Sequence, residues 1–198
     1  VDDGDVRKIN WKKYKNKIDV IHGGPPCQPF SISGQRKGKD DERNMWPEFI
    51  NAVLEIKPRA FIAENVPGII SKKFSKFVEN EILSPLDDYK IIMFKLNAAD
   101  FGVPQNRKRV FFVGFKSTSL YEQFQIPSPT HFVNFDSEKK NQSNLKKTMG
   151  VREALGLDDI GFDSLAPTLR SAFTGKRNTT SILNGSSSQK IWSKLQIW

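Results

Sequence analysis

The residues best suited to chemistry lie in a proline-rich turn, Gly24-Pro25-Pro26-Cys27-Gln28-Pro29-Phe30-Ser31, which displays the only cysteine of the chain. Prolines restrict the backbone of such a turn, so a thiol there can be held in place as a nucleophile. A cysteine also serves as a small buried hydrophobe, and from the turn alone that alternative stays open. A single cysteine excludes intramolecular disulfides and any cysteine-cluster metal site.

Two further polar segments adjoin apolar stretches. Glu64-Asn65-Val66 follows the apolar run Ala60 to Ala63, and Gln105-Asn106-Arg107-Lys108-Arg109 precedes the apolar run Val110 to Phe115. Taken alone, a Glu-Asn pair is often a cap, and three basic residues in five are often an exposed loop. Their significance therefore depends on where the fold places them.

The elements that would position these segments alternate between strands and helices. Ile18 to His22 and Ala60 to Ala63 are predicted strands, each ending at a loop. Between them we predict a helix that starts at Pro47 and ends before Pro58. Its apolar face comprises Phe49, Ile50, Val53 and Leu54.

A second helix is predicted from Ser71 to Leu83, followed by strands at Tyr89 to Leu96 and Val110 to Phe115. The apolar face of this helix comprises Phe74, Phe77, Val78 and Ile82. Alternating strands and helices predict an α/β sheet with helices on both faces. Ligands bind such sheets beyond the carboxyl ends of the strands, so the Cys27 and Glu64 segments should share one rim.

The charge of the chain favours a polyanion as partner. Its 198 residues carry a formal net charge of +9. The basic residues cluster at Arg7 to Lys17, Lys72 to Lys76, Arg107 to Arg109, Lys139 to Lys147 and Arg170 to Arg177. Any one cluster could be a solvated face, but five together favour nucleic acid. No apolar run is long enough to span a membrane, and we expect a cytoplasmic protein.

The character of the sequence changes after Phe115, where Ser, Thr, Asn, Lys and Gly dominate. We expect a boundary near Ser117 to Pro129 and a short helix within Thr148 to Leu155. The predicted domains are residues 1–116, which contain the α/β sheet, and residues 117–198, a connecting segment followed by a small irregular region.

The three polar segments together resemble the cytosine-C5 DNA methyltransferases of bacterial restriction-modification systems. Pro-Cys-Gln with Phe-Ser is similar to that family's nucleophile loop, Glu64-Asn65-Val66 to its Glu-Asn-Val motif, and Gln105 to Arg109 to its Gln-x-Arg-x-Arg segment. The resemblance covers roughly residues 4 to 115. It implies a Rossmann-like sheet that uses S-adenosylmethionine, and double-stranded DNA as substrate.

The resemblance implies a role for each catalytic residue. Cys27 attacks C6 of a flipped cytosine, and C5 then takes a methyl group from S-adenosylmethionine without any metal. Glu64 protonates or hydrogen-bonds N3, for which we expect a desolvated pocket that favours a proton-bearing carboxyl. Asn65 orients the loop, Arg109 holds the cytosine O2, and Arg107 holds the neighbouring phosphate.

Further positions are carried over from the same family. Gly4-Asp5-Val6 resembles its Gly-Asp-Ile turn, which implies a cofactor contact for Asp5. Pro25 and Trp46 are the other implied cofactor contacts, although the family usually has Leu where Trp46 stands. Ala166 to Ser171 and the residues after it resemble the start of the target-recognition region. The implied DNA contacts are Gln28, Ser31, Gln105, Arg170, Thr174, Lys176 and Arg177.

The sequence departs from the family at both ends. It lacks the Phe-x-Gly-x-Gly cofactor loop and the segments that follow the recognition region. A truncated sequence and one subunit of a split enzyme, completed by a second polypeptide, both fit this. A non-catalytic DNA-binding remnant is a third interpretation, but it has no use for Cys27 and Glu64 together. A tRNA methyltransferase would need an additional Cys-Phe-Thr motif, which a chain with one cysteine cannot contain.

Overall fold

The computed structural model describes residues 4–26, 44–133, 144–156 and 165–167. The chain divides into two compact units. The first unit is Val1–Asn97 with Lys108–Pro129, and the second is Ala98–Arg107 with Thr130–Trp198. The division into residues 1–116 and 117–198 remains a prediction.

The first unit is built on a four-stranded mixed sheet. Its strands, in spatial order, are β1 (Val20–Gly23), β2 (Ala60–Asn65), β5 (Lys108–Phe115) and β3 (Lys90–Asn97). β1 and β2 run parallel, whereas β5 is antiparallel to both β2 and β3. The predicted α/β class is confirmed, and each of these four strands lies where the apolar runs predicted it.

Helix α1 (Trp46–Ile56) connects β1 to β2 and covers one face of the sheet. Pro47 stands at its start, where a missing N–H costs nothing, and Lys57 ends it in the left-handed conformation at φ 55°. Its buried residues are Trp46, Ile50, Ala52, Val53 and Ile56. Leu54 was predicted on the buried face, but it is 42% exposed. The error arises because the buried face of α1 also contains Ala52 and Ile56, so it is rotated away from Leu54.

The predicted helix at Ser71 to Leu83 is a chain of short helical turns of different types. A 3-10 turn (Lys72–Phe74), α2 (Ser75–Phe77), a π-helix (Val78–Leu83) and a second 3-10 turn (Ser84–Leu86) follow one another. The four residues predicted to share a buried face are all buried, namely Phe74, Phe77, Val78 and Ile82. The apolar pattern therefore predicted the buried face but not the helix type.

The opposite face of the sheet is covered in part by α3 (Thr118–Gln123). The rings of Tyr121 in α3 and of Phe124 just beyond it pack on Phe115, and Phe124 also packs on Phe94. Helices therefore lie on both faces, as predicted. The described residues of this unit also form 3-10 turns at Val6–Lys8, Trp11–Tyr14 and Pro67–Ile70.

The second unit contains only short elements among its described residues. A 3-10 turn (Ala98–Phe101) is followed by β4 (Gln105–Asn106), which pairs in parallel with β8 (Ala166–Pro167). β6 (His131–Phe132) pairs in parallel with β7 (Lys146–Lys147). Helix α4 (Val151–Ala154) lies within the stretch where a short helix was predicted. Across the described parts of both units, no helix combines the length and apolarity needed to cross a bilayer.

Candidate active site

The candidate site lies at the end of β2, on the face opposite α1. Glu64 pairs in register with Phe111 of β5, which places Arg109 diagonally across the two strands on the same face. Arg109 Nε lies 2.5 Å from Glu64 Oε1, and the two side chains are 16% and 34% exposed. Arg109 also donates from Nη1 to the carbonyl of Lys108 at 2.9 Å. Two of the predicted catalytic side chains thus form one ion pair.

Asn65 connects this strand end to the turn after β1. Its side chain is buried, and its Nδ2 donates to the carbonyl of Pro25 at 3.1 Å. Its Oδ1 accepts from the backbone N–H of Val66 at 2.9 Å. Breaking these bonds would leave the buried amide and its backbone partners without hydrogen bonds, which costs free energy. The Asn65 side chain therefore fixes the Pro25 turn on β2. Cys27 follows Pro25 by two positions and lies outside the described residues.

Gly24 brings the same turn against the carboxyl group of Glu64. A Cβ atom at Gly24 would lie 3.3 Å from Glu64 Oε2, which is tighter than an ordinary contact. The end of β1 and the end of β2 therefore share one rim, as the sequence predicted. The role of Gly24 was missed, because Gly23 and Gly24 were interpreted only as the end of a strand.

The surroundings of Glu64 differ from the desolvated pocket that the sequence analysis expected. About a third of its side chain is exposed, and the guanidinium of Arg109 contacts it directly. Among the described residues, the face that carries Glu64 is only partly covered, since Ile62 on the same face of β2 is 37% exposed. The expected desolvation is therefore not present around the described part of the site.

Asp5, a predicted cofactor contact, is paired within its own turn. Its carboxylate caps the 3-10 turn at Val6–Lys8 by accepting from the backbone N–H of Arg7 at 3.1 Å. It also accepts from Arg7 Nε at 2.9 Å and from Nη2. These hydrogen bonds, the side-chain bond above all, lower the pKa of Asp5 to about 2.

A cavity of about 560 Å³ lies beside this turn, within the first unit. Its volume falls in the range of small-molecule sites. The lining is mostly apolar and aromatic and includes Val6, Trp11, Tyr14, Ile21, Pro25 and Phe49. Pro25, a predicted cofactor contact, is thus part of its wall.

Trp46, the third predicted cofactor contact, is placed in the core. It is fully buried, and its ring meets Phe112 at 5.2 Å and Phe49 at 6.0 Å between centroids, both edge to face. Its neighbour Met45 lines the cavity, whereas Trp46 is not among the lining residues. This position suits a packing role for Trp46.

Gln105 and Arg107 belong to the second unit. Gln105 lies in β4, and the backbone N–H of Arg107 donates to the carbonyl of Gln105 at 3.0 Å. The remaining predicted site residues lie outside the described residues, namely Cys27, Gln28, Ser31, Arg170, Thr174, Lys176 and Arg177.

Comparison with known proteins identifies the family. The model of the C-5 cytosine-specific DNA methylase family matches residues 1–194. The chain belongs to this family. Membership confirms the resemblance inferred from the Cys27, Glu64 and Arg109 segments.

Individual relatives of the chain are type II methyltransferases. M.AquIA of Picosynechococcus sp. is 45% identical over 125 residues, which are 58% of this chain and 49% of that protein. M.DdeI of Desulfomicrobium norvegicum is 33% identical over 171 residues, 84% of this chain and 41% of that protein. Among solved structures, the Entamoeba histolytica methyltransferase EhMeth is 21% identical with a TM-score of 0.49, covering 65% of this chain and 41% of that one. The chain spans about half or less of the length of these relatives.

Proposed function

We propose that this chain is the central catalytic part of a DNA (cytosine-5-)-methyltransferase of the restriction-modification type, acting in the bacterial cytoplasm on double-stranded DNA. The observation that carries the proposal is the Glu64 and Arg109 pair, 2.5 Å apart, beside the turn that leads to Cys27. N3 and O2 are neighbouring atoms on one edge of cytosine. A carboxyl and a guanidinium side by side are complementary to that edge.

The first step is nucleophilic attack by Cys27. Its thiolate forms a bond to C6 of the cytosine, and the electrons of the 5,6 double bond move into the ring towards C5, N3 and O2. A free thiol with a pKa near ~8.5 is mostly protonated at neutral pH, so nearby cations are needed to favour the thiolate. The net charge of +9 and the arginines at 107 and 109 support that requirement.

Glu64 and Arg109 stabilise the negative charge that the attack creates. When the base enters, Glu64 exchanges its contact with Arg109 for a proton from solvent and gives that proton, or a strong hydrogen bond, to N3. The guanidinium of Arg109 then binds O2. Asn65 keeps the Pro25 turn against β2, and Gly24 of that turn lies against the Glu64 carboxyl. After methylation, a water molecule takes the C5 proton, the C5–H electrons re-form the 5,6 double bond, and the C6–S bond breaks to release Cys27 as a thiolate.

S-adenosylmethionine, when bound, supplies the methyl group to C5. The apolar cavity of about 560 Å³ fits an adenosine-sized group, and Pro25 in its wall lies beside the Asn65 contact. Asp5, held ionised by Arg7, is an acceptor at the edge of this region. Trp46 would act there only by supporting α1 from within the core. No residue of this scheme requires a metal.

DNA is bound by polar and basic segments of the chain. The target base must leave the helical stack to reach Cys27, at a cost of a few kcal/mol (~2–4). Gln28 and Ser31 then contact the displaced strand, Gln105 and Arg107 contact the backbone, and the stretch from Arg170 to Arg177 contacts the recognised sequence. Arg170, Thr174, Lys176 and Arg177 are the candidates in that stretch.

The experiment that tests the proposal is covalent trapping. The chain is incubated with a duplex pool containing 5-fluorocytosine and S-adenosylmethionine, alone and with a lysate of its source. A fluorine at C5 cannot leave as the proton does, so the C6–S bond persists and the adduct survives denaturation. We expect an adduct that maps to Cys27 and disappears in Cys27→Ser.

The trapping outcomes separate the alternatives. An adduct formed by the chain alone means that its 198 residues suffice for attack and methylation. An adduct that needs lysate means that a second polypeptide completes the enzyme. DNA binding without an adduct in either condition would favour the non-catalytic DNA-binding remnant and overturn the proposal.

A further inference from the structure

The segment Ala98–Arg107 of the second unit is a closed loop that carries two proposed DNA contacts, Gln105 and Arg107. The backbone N–H of Ala98 donates to the carbonyl of Arg107 at 3.0 Å, which joins the two ends of the loop. Gly102, in its middle, has a φ of +90°, a conformation that side-chain-bearing residues rarely adopt. Arg107 is therefore held through the backbone of Ala98.

Thr148 contacts the residue next to Ala98. Its side chain is 5% exposed, and its Oγ1 donates to the carbonyl of Ala99 at 2.7 Å. Thr148 and Asn65 are the two buried polar or charged residues among those that the structure describes. Burying a polar side chain costs free energy unless the side chain is hydrogen-bonded. Because little solvent reaches the Thr148 hydroxyl, losing its bond to Ala99 would be unfavourable.

Two other contacts hold the same loop. The backbone N–H of Thr130 donates to the carbonyl of Asp100 at 3.0 Å. The ring of His131 lies so close to Gly102 that a Cβ there would come within 2.9 Å of it. Thr148 belongs to this group, because its own N–H donates to the carbonyl of Phe132 at 2.8 Å.

We infer that Thr148 is a positioning residue for DNA binding: its hydroxyl fixes Ala99, and through the Ala98 to Arg107 bond it fixes the backbone that presents Arg107 to a phosphate. The inference rests on the proposed function for the assignment of Arg107 to DNA. The two hydrogen bonds lie on consecutive residues. The carbonyl of Ala99 accepts from Thr148, and the N–H of Ala98 donates to the carbonyl of Arg107. Without the hydroxyl, the buried carbonyl of Ala99 keeps only the longer bond from the N–H of Gly102, at 3.2 Å, which lies within the loop itself. The loop then loses the hydrogen bond that ties Ala99 to Thr148, and it loosens.

The test compares Thr148→Val, which keeps the shape and removes the hydroxyl, with Thr148→Ser, which keeps the hydroxyl. The matched control is Thr118→Val, at an exposed position of α3 in the first unit. Hydrogen exchange of the peptides covering residues 98–107 is measured on the full chain by mass spectrometry. We expect exchange about tenfold faster in Thr148→Val, with near-wild-type exchange in Thr148→Ser and Thr118→Val.

DNA binding supplies the readout that a purely structural role would leave unchanged. A randomised duplex is titrated at several salt concentrations, and we expect Thr148→Val to bind about tenfold more weakly. The slope of log affinity against log salt should also fall by about one, the loss of one phosphate contact. Thr148→Ser should restore both values.

The outcomes distinguish this inference from the proposed function. Wild-type exchange in Thr148→Val would overturn the inference, as would faster exchange with an unchanged affinity and salt slope. A wild-type chain that binds no duplex at all would instead contradict the proposed function, and the DNA part of the inference with it.

Discussion

The two faces of β2 differ in burial and in chemistry. Phe61 and Ala63 face α1 and are fully buried, whereas Ile62 and Glu64 face the other way and keep about a third of their surface exposed. Successive side chains of a strand point to opposite faces of the sheet, so one face of β2 contributes to the core and the other carries the candidate site. The side chains that fix the fold are not those proposed to react.

This difference predicts two separable classes of variant. A change on the face towards α1 disturbs close packing, and its cost appears in the free energy of unfolding. A change at Glu64 or Arg109 breaks an ion pair that is partly exposed, and such pairs contribute only about 0–1 kcal/mol. Stability and activity should therefore respond to different faces of the same strand.

The largest effect is expected for Glu64→Gln. The amide occupies the same volume but cannot transfer a proton to N3, so adduct formation with 5-fluorocytosine DNA should slow by about 10²–10⁴-fold. The free energy of unfolding should change by less than about 1 kcal/mol. Rates are measured under the trapping conditions in which the wild type reacts.

Glu79→Gln is the matched control, because Glu79 is an exposed carboxylate of the π-helix. It should leave both the rate and the stability at wild-type values. If Glu64→Gln instead destabilised the chain as strongly as a core variant, the two faces would not be separable in the way proposed.

The next effect is expected for Gly114→Ala on the buried face. Gly114 pairs in register with Phe61, and an added Cβ would overlap the Phe61 ring. That ring has no exposed surface and cannot move aside without displacing the core. We expect a loss of about 3 kcal/mol in the free energy of unfolding, measured by urea titration.

Gly4→Ala provides the comparison for this variant, since a Cβ at Gly4 would meet nothing within 4 Å. It should leave the urea midpoint close to the wild-type value. An equal midpoint for Gly114→Ala would mean that the face towards α1 tolerates added volume, and the contrast between the faces would disappear.

The sequence predicted those parts of the fold that depend on local apolar patterns. The strands around Glu64 and Arg109, helix α1 and the buried face of residues 74–82 were all anticipated. The π-helix at Val78–Leu83 was not, because an apolar stripe identifies the buried face and is compatible with several helical types.

The site was predicted only in part, for a physical reason of the same kind. Glu64 and Arg109 were named, but their pairing depends on the antiparallel register of β2 and β5, strands far apart in the sequence. The apolar pattern of a strand fixes which of its faces is buried, but it does not identify the residue of a distant strand that lies opposite. The desolvation expected around Glu64 stays a prediction, because the coverage of its face depends on segments beyond β2 and β5. Thr148 was missed because a lone threonine gives no signal of burial.

The smallest effect is expected for Tyr89→Phe, which removes an ionisable group from the buried face. The ring of Tyr89 packs edge to face on Phe61 at 5.3 Å, and its hydroxyl donates to the carbonyl of Pro58 at 2.9 Å. Burial, with a smaller contribution from the charge of Asp88, raises the pKa of Tyr89 to about 12. In the unfolded chain the ordinary value is near ~10.

A raised folded-state pKa fixes the sign of the pH dependence. The contribution of Tyr89 is complete below about pH 10 and is lost as the pH rises from about 10 to about 12, because the unfolded chain releases the proton first. Tyr89→Phe should be less stable than the wild type by about 1 kcal/mol at pH 8, where it lacks the bond to Pro58. Phenylalanine has no phenolic proton to lose, so the free energy of unfolding of Tyr89→Phe does not fall in this way at high pH. Its deficit relative to the wild type should therefore shrink or reverse by pH 11. Urea titrations at pH 8, 9.5 and 11 measure the difference, and a deficit that stayed constant across them would mean that Tyr89 ionises as readily in the folded chain as in the unfolded one.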